Sequence, residues 1–120
     1  MIEQDKNQPT EVVFSTYYRV HPEDRQKFID AVTPHLAVEA RIPGVIYYVF
    51  AQDITDPNTF HLSEGFRDQT AIDEHNRSSA FADALREVMG SVRILEHQAQ
   101  RYEVSSQGAG DPPGGVRLAR

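Results

Sequence analysis

The stretch Val45-Ile46-Tyr47-Tyr48-Val49-Phe50-Ala51-Gln52-Asp53 is almost continuously apolar, and Thr59-Phe60-His61-Leu62-Ser63-Glu64-Gly65-Phe66 follows it after Asp56-Pro57-Asn58. β-Branched and aromatic residues pack well on a pleated surface, so both runs read as strands. Asp, Pro and Asn between them carry strong turn chemistry. Together they predict an antiparallel hairpin. Side chains alternate in direction along a strand, so Phe60, Leu62, Glu64 and Phe66 share one face and His61, Ser63 and Gly65 share the other. Glu64 is therefore a carboxylate on an otherwise apolar face, and such a group needs a partner.

Working outward, Glu11 to Val20 (EVVFSTYYRV) reads as an earlier strand. His21-Pro22-Glu23-Asp24 reads as a helix start, because proline suits the first helical position and the acids suit the positive end of the dipole. Phe28, Val32 and Leu36 recur every four residues, with Ile29 beside them, as one apolar helical stripe. Pro34 within it lacks a backbone donor and is expected to kink or divide the helix. Ile42-Pro43-Gly44 ends the segment. After the hairpin, Asp68 suits the cap of a short helix through His75 or Asn76. Ser78 or Ser79 caps another, with Phe81, Leu85, Val88 and Met89 on one stripe and Gly90 as its closing residue. Val92 to Val104 reads as a last strand. The order is βαββαβ, a ferredoxin-like α+β arrangement with helices on one face of an antiparallel sheet. A second copy of the chain is the economical cover for the other face, so a homodimer is expected.

The chain has 120 residues, enough for one domain. Residues 1–10 are polar, residues 11–104 form the expected domain, and residues 105–120 hold four of the seven glycines and read as an extended tail. Net charge is −6 with no Lys/Arg cluster, which argues against a nucleic-acid or anionic-membrane partner. There is no cysteine, which excludes a disulfide framework, a thiol nucleophile and thiolate-bound metal. The first residues lack the apolar core of a secretory signal, and no apolar run is long enough to span a bilayer, so a cytoplasmic location is expected. The histidines His21, His35, His61, His75 and His97 are scattered without metal-ligand spacing, and no metal or other cofactor is expected. No GxSxG, GxGxxG or P-loop motif occurs.

Several segments resemble those of one family. Pro43-Gly44 to Phe50 is similar to the "PGxxxYxV" strand of the antibiotic biosynthesis monooxygenase family. Asp56-Pro57-Asn58-Thr59-Phe60 with Glu64-Gly65-Phe66 is similar to its "DPNxF…ExW" hairpin, Ala71-Ile72-Asp73-Glu74-His75 to its "AlxxH" helix, and Phe81 to its following aromatic. The resemblance runs from about Val12 to Val104. It implies a dimeric α+β barrel in which two ferredoxin-like subunits pack sheet to sheet. It also implies a cofactor-independent oxidation of a quinol, polyphenol or similar small aromatic by dioxygen. Members of the family include haem-degrading enzymes and an isomerase of a phosphorylated autoinducer, so the fold alone leaves the reaction open. Two positions depart from the pattern: Phe66 stands where a tryptophan is usual, and Ala80 where a second histidine often stands. The missing tryptophan argues against haem degradation.

His75 is the leading catalytic candidate, because an imidazole titrates near neutral pH and, by the resemblance, would take a phenolic proton. The bland alternative is a histidine at a helix end or on the surface. Glu64 is the second candidate; it would bond His75, touch substrate, or pair structurally with Arg41, Arg67 or Arg77. Tyr48, Phe50, Phe60, Phe66 and Phe81 are candidates for an aromatic substrate pocket, although Tyr47 and Phe50 also read as plain core. One of Tyr17 and Tyr18 should face the pocket. His35 reads as exposed or at the pocket mouth, and His61 as lying on the interface side of the sheet. Two other functions stay open. One is an isomerase or proton-transfer enzyme acting on a small carbonyl compound, for which Arg41, Arg67 and Arg77 would have to converge on the pocket if the substrate is phosphorylated. The other is a non-catalytic ligand-binding module.

Overall fold

A computed structural model describes residues 8–110. The expectations for residues 1–7 and 111–120 fall outside the described residues. The elements are β1 (Val12–Val20), a short 3-10 turn (Pro22–Asp24), α1 (Arg25–Glu39), β2 (Val45–Gln52), β3 (Thr59–Phe66), α2 (Gln69–Arg77), α3 (Ser79–Ser91) and β4 (Ile94–Glu103). The strands form one antiparallel sheet in the order β2-β3-β1-β4. This is the ferredoxin-like α+β arrangement that the βαββαβ reading predicts.

Local chemistry explains the boundaries. Asp68 caps α2 by accepting from the Ala71 N–H at 2.9 Å, and the Ser78 hydroxyl caps α3 by accepting from the Phe81 N–H at 3.1 Å. Gly44 has a positive φ of 85°, and a Cβ there would lie 2.5 Å from that of Ala71. Only glycine lets the start of β2 approach α2 this closely. Asp56 accepts from the Asn58 N–H and from the Thr59 hydroxyl, closing the β2–β3 turn.

Three local expectations are corrected. Helix α1 runs through Pro34 undivided, ending at Glu39. Packing of its buried Phe28 and Ala31 against the sheet and α3 sustains it despite the missing donor. Gly90 lies inside α3, without positive φ, and the helix ends one residue later on the extended Val92. β4 accordingly begins at Ile94 rather than Val92.

Two apolar clusters fill the space between sheet and helices. One joins Val12, Val45, Tyr48, Leu62 and Phe66 to Ala71 and Ile72 of α2. The other joins Val20 and Phe60 to Phe28 and Ala31 of α1 and to Val88 and Val92. A register shift between Val45 and Tyr47 aims Tyr48 and Phe50 toward the helices beside Glu64 and Leu62. Glu64 then lies between Tyr48 on β2 and Phe14 on β1. Among the described residues no helix covers the opposite face of the sheet. There the Tyr47 ring lies across Gly65, where a Cβ would come within 2.3 Å of it. Tyr47 therefore belongs to the open face, not to the helix-side core.

Candidate functional site

His75 occupies the last turns of α2 and is buried, with 3% of its surface exposed. Its Nδ1–H donates to Oε2 of Glu39, the last residue of α1. The other Glu39 oxygen accepts from the Ser78 hydroxyl at 2.9 Å. Glu39 is itself only 2% exposed, so this pair is held away from water. With Nδ1–H directed at the Glu39 carboxyl oxygen, Nε2 presents its lone pair on the other side. That side faces Oε1 of Glu64 at 3.6 Å. The gap is longer than a direct hydrogen bond, and a substrate hydroxyl can contact both groups.

Burial pushes the Glu64 carboxyl up to about 7; nearby His75 opposes this and nearby Glu39 adds to it. Glu64 therefore exchanges its proton in the neutral range. Burial also raises the phenols of Tyr48 and Tyr18, with the Glu64 charge adding to both, so both are neutral hydrogen-bonding groups. Rings surround the imidazole: Phe81 at 4.8 Å between centroids, Tyr48 at 5.3 Å and Phe66 at 5.5 Å.

These groups line a cavity of about 250 Å³ between the sheet and α2. It contains Glu64, His75 and Asn76, with Tyr18, Phe66 and His97 around them. A second cavity, of about 70 Å³, lies between α1 and α3. Tyr18, Tyr48 and Phe81 line both. Glu39 faces the second and His75 the first, so their bond sits in the partition. Among the described residues no lysine or arginine lines either cavity. Among the described residues no group of three His, Cys, Asp or Glu is placed to hold a metal ion.

The structure brings His75, Glu64, Tyr48, Phe66 and Phe81 together. Phe50 lines the second cavity, while Phe60 lines neither and belongs to the core around Phe28. Glu64 faces His75 rather than an arginine. Tyr18 is the tyrosine on the pocket side, and Tyr17 points to the open face and donates to Glu96 at 2.7 Å. His35 lines the second cavity. His61 pairs with Asp53 at 2.7 Å on the open face. His97 stacks on Tyr18 at 4.6 Å.

Sequence reasoning missed Glu39, Asn76 and His97 as site residues. Glu39 left a signal, because it continues the Phe28, Val32, Leu36 stripe by three residues and so occupies a core position of α1. A carboxylate there carries the same message as Glu64 on β3.

A one-sheet α+β fold with a buried carboxylate–imidazole centre in an aromatic chamber defines the class. The family model for antibiotic biosynthesis monooxygenase matches residues 7–87. The chain belongs to that family. Solved structures share the fold. One is a "putative antibiotic biosynthesis monooxygenase" of Nitrosomonas europaea, 19% identical, with a TM-score of 0.73, covering 79% of this chain and 99% of that one. Another, described in the same words, is from Deinococcus radiodurans, 13% identical, with a TM-score of 0.75, covering 84% and 99%. A conserved protein of Methanosarcina mazei is 20% identical, with a TM-score of 0.71, covering 78% and 92%. A search of curated proteins finds no match.

Proposed function

We propose that this chain is a monooxygenase that oxidises an uncharged quinol, polyphenol or similar small aromatic with dioxygen, using its own side chains for proton transfer. The observation that carries the reading is the buried His75 held between two carboxylates in an aromatic chamber that no described lysine or arginine lines. A substrate hydroxyl reaches His75 Nε2 and Glu64 from the chamber side and bridges the two. His75 takes its proton, and Glu39 stabilises the imidazolium that forms. A protonated Glu64 donates to the phenolate oxygen. The electron-rich anion then passes electrons to dioxygen. One oxygen atom becomes bonded to ring carbon and the other leaves as water. The quinol becomes a hydroxyquinone, so the four electrons required come from the substrate itself. Tyr48, Phe66 and Phe81 hold the ring plane.

A phosphorylated carbonyl substrate draws no support from the geometry, because Arg41, Arg67 and Arg77 line neither cavity. We infer further that the open sheet face, with Tyr17, Tyr47 and Val49, pairs with a second copy of the chain. Light scattering at micromolar concentration is expected to give a dimer, and a monomer would overturn that inference.

The test of the reaction is oxygen uptake by chelator-treated protein with a panel of hydroquinones and anthrones. Wild type is expected to consume oxygen above autoxidation. His75→Gln, which keeps a hydrogen-bonding side chain against Glu39, is expected to lose about 10²- to 10⁴-fold of the rate. Equal rates in the two proteins, or none above autoxidation, would contradict the proposal.

A further inference from the structure

The second cavity touches the proton transfer above only through Glu39, which faces it from the partition. Its walls are mainly the apolar side chains Val32, Leu36, Ala84, Leu85 and Val88 over the ring of Phe50, with His35 and Glu39 as its polar members. One water needs about 10–15 Å³, and a closed apolar cavity of about 150 Å³ takes benzene. At about 70 Å³ the cavity suits a chain of a few carbon atoms rather than a second ring. One of its lining residues, Leu85, is 47% exposed, so the cavity wall reaches the surface there. A longer chain can therefore run out between α1 and α3. Its position relative to the His75 chamber is the decisive feature. Tyr18, Tyr48 and Phe81 form walls of both spaces, so a ring held beside His75 would have its far substituents directed at this wall. Phe81 is half-buried on the first turn of α3, with its ring 4.8 Å from that of His75.

We propose that the groove between α1 and α3 is a subsite for an uncharged alkyl or alkenyl substituent carried by the aromatic substrate. This rests on the preceding reading only in assigning the ring to the His75 chamber. Ala84 sets the room available, because its methyl group occupies a position that a larger side chain would extend into the groove. The substrate class follows from the two spaces together: a small phenol at one end, and an unbranched or lightly branched hydrocarbon arm at the other. Each methylene moved from water into such a groove tightens binding about fourfold.

The probes are phenol and 4-butylphenol, with dissociation constants taken from NMR titration of the ¹⁵N-labelled protein. Wild type is expected to bind 4-butylphenol about 10- to 100-fold more tightly than phenol, with amide shifts in α1 and α3 for the butyl compound alone. Ala84→Phe is expected to remove that increment while leaving the affinity for phenol unchanged, and the smaller Ala84→Leu to remove part of it. Equal affinity of wild type for the two probes would overturn the proposal. So would an increment that survives in Ala84→Phe. The test does not involve turnover. A protein that shows the increment but consumes no oxygen keeps the subsite and loses the oxygenase reading. A protein that consumes oxygen without the increment does the reverse.

Discussion

The molecule buries carboxylates in two regions and uses them differently. Asp24, in the turn before α1, is 1% exposed and accepts from the Arg93 backbone N–H at 2.8 Å, its Nε–H at 2.8 Å and its Nη2–H at 3.1 Å. Hydrogen bonds from Arg93 hold its carboxyl well below the usual carboxylate range. Glu39 and Glu64 instead share an imidazole. Burial raises Glu64 toward neutrality, against the pull of His75. The partner decides the outcome. A guanidinium stays charged at any accessible pH, so the Asp24 pair is a fixed clasp between the 3-10 turn and the start of β4. An imidazole exchanges its proton, so the Glu39–His75–Glu64 group can move one.

Substitutions should separate the two regions. The largest effect is expected at His75, where the Gln variant loses about 10²- to 10⁴-fold in turnover, as measured by oxygen uptake. Next comes Glu64→Gln. The folded protein favours neutral Glu64, because its carboxyl rises from an ordinary 4.5 to about 7. That favour is fully present below pH 4.5 and is lost as pH rises through 7. The glutamine never ionises, so between pH 4 and pH 8 its stability relative to wild type should improve by about 3 kcal/mol in urea titrations. Glu39→Gln keeps an acceptor for Nδ1–H but loses the charge. It should cost about 10- to 100-fold in kcat, the worth of a charge-assisted hydrogen bond to the imidazolium.

Asp24→Asn should leave kcat/KM unchanged and lower the urea midpoint at pH 7. The sign is opposite to that of Glu64. A depressed carboxyl contributes stability above its ordinary value, and that stability is lost as pH falls through the folded value. The gap between Asp24→Asn and wild type should therefore close in acid. An activity loss in Asp24→Asn comparable to that in Glu39→Gln would break the comparison.

Much of this was legible from local chemistry. The hairpin, the Asp68 cap, the second cap at Ser78 or Ser79 and the alternation that exposed Glu64 as an anomaly all depend on neighbours within a few residues. His75 came from the resemblance, because its place near a helix end also suits a plain capping or surface histidine. What was not legible depends on distance along the chain. Glu39 meets His75 across 36 residues, and nothing local says that α1 and α2 end side by side. Tyr17 and Tyr18 are equivalent until β1 is placed between β3 and β4, because a period of two does not say which face is covered. Phe60 and Phe66 share a face, but only the placement of the helices puts one in the core around Phe28 and the other against His75. Gly90 misled because the closing-glycine rule is a tendency that continued packing of Val88 and Val92 overrides.

The central claim is that a carboxyl changing protonation near neutral pH serves the chemistry at His75. It is tested most directly by kcat/KM for oxygen uptake between pH 5 and pH 9, in wild type and Glu64→Gln. A change of rate centred near pH 7 is expected in wild type and is expected to be absent in Glu64→Gln. Superimposable profiles for the two proteins would contradict it.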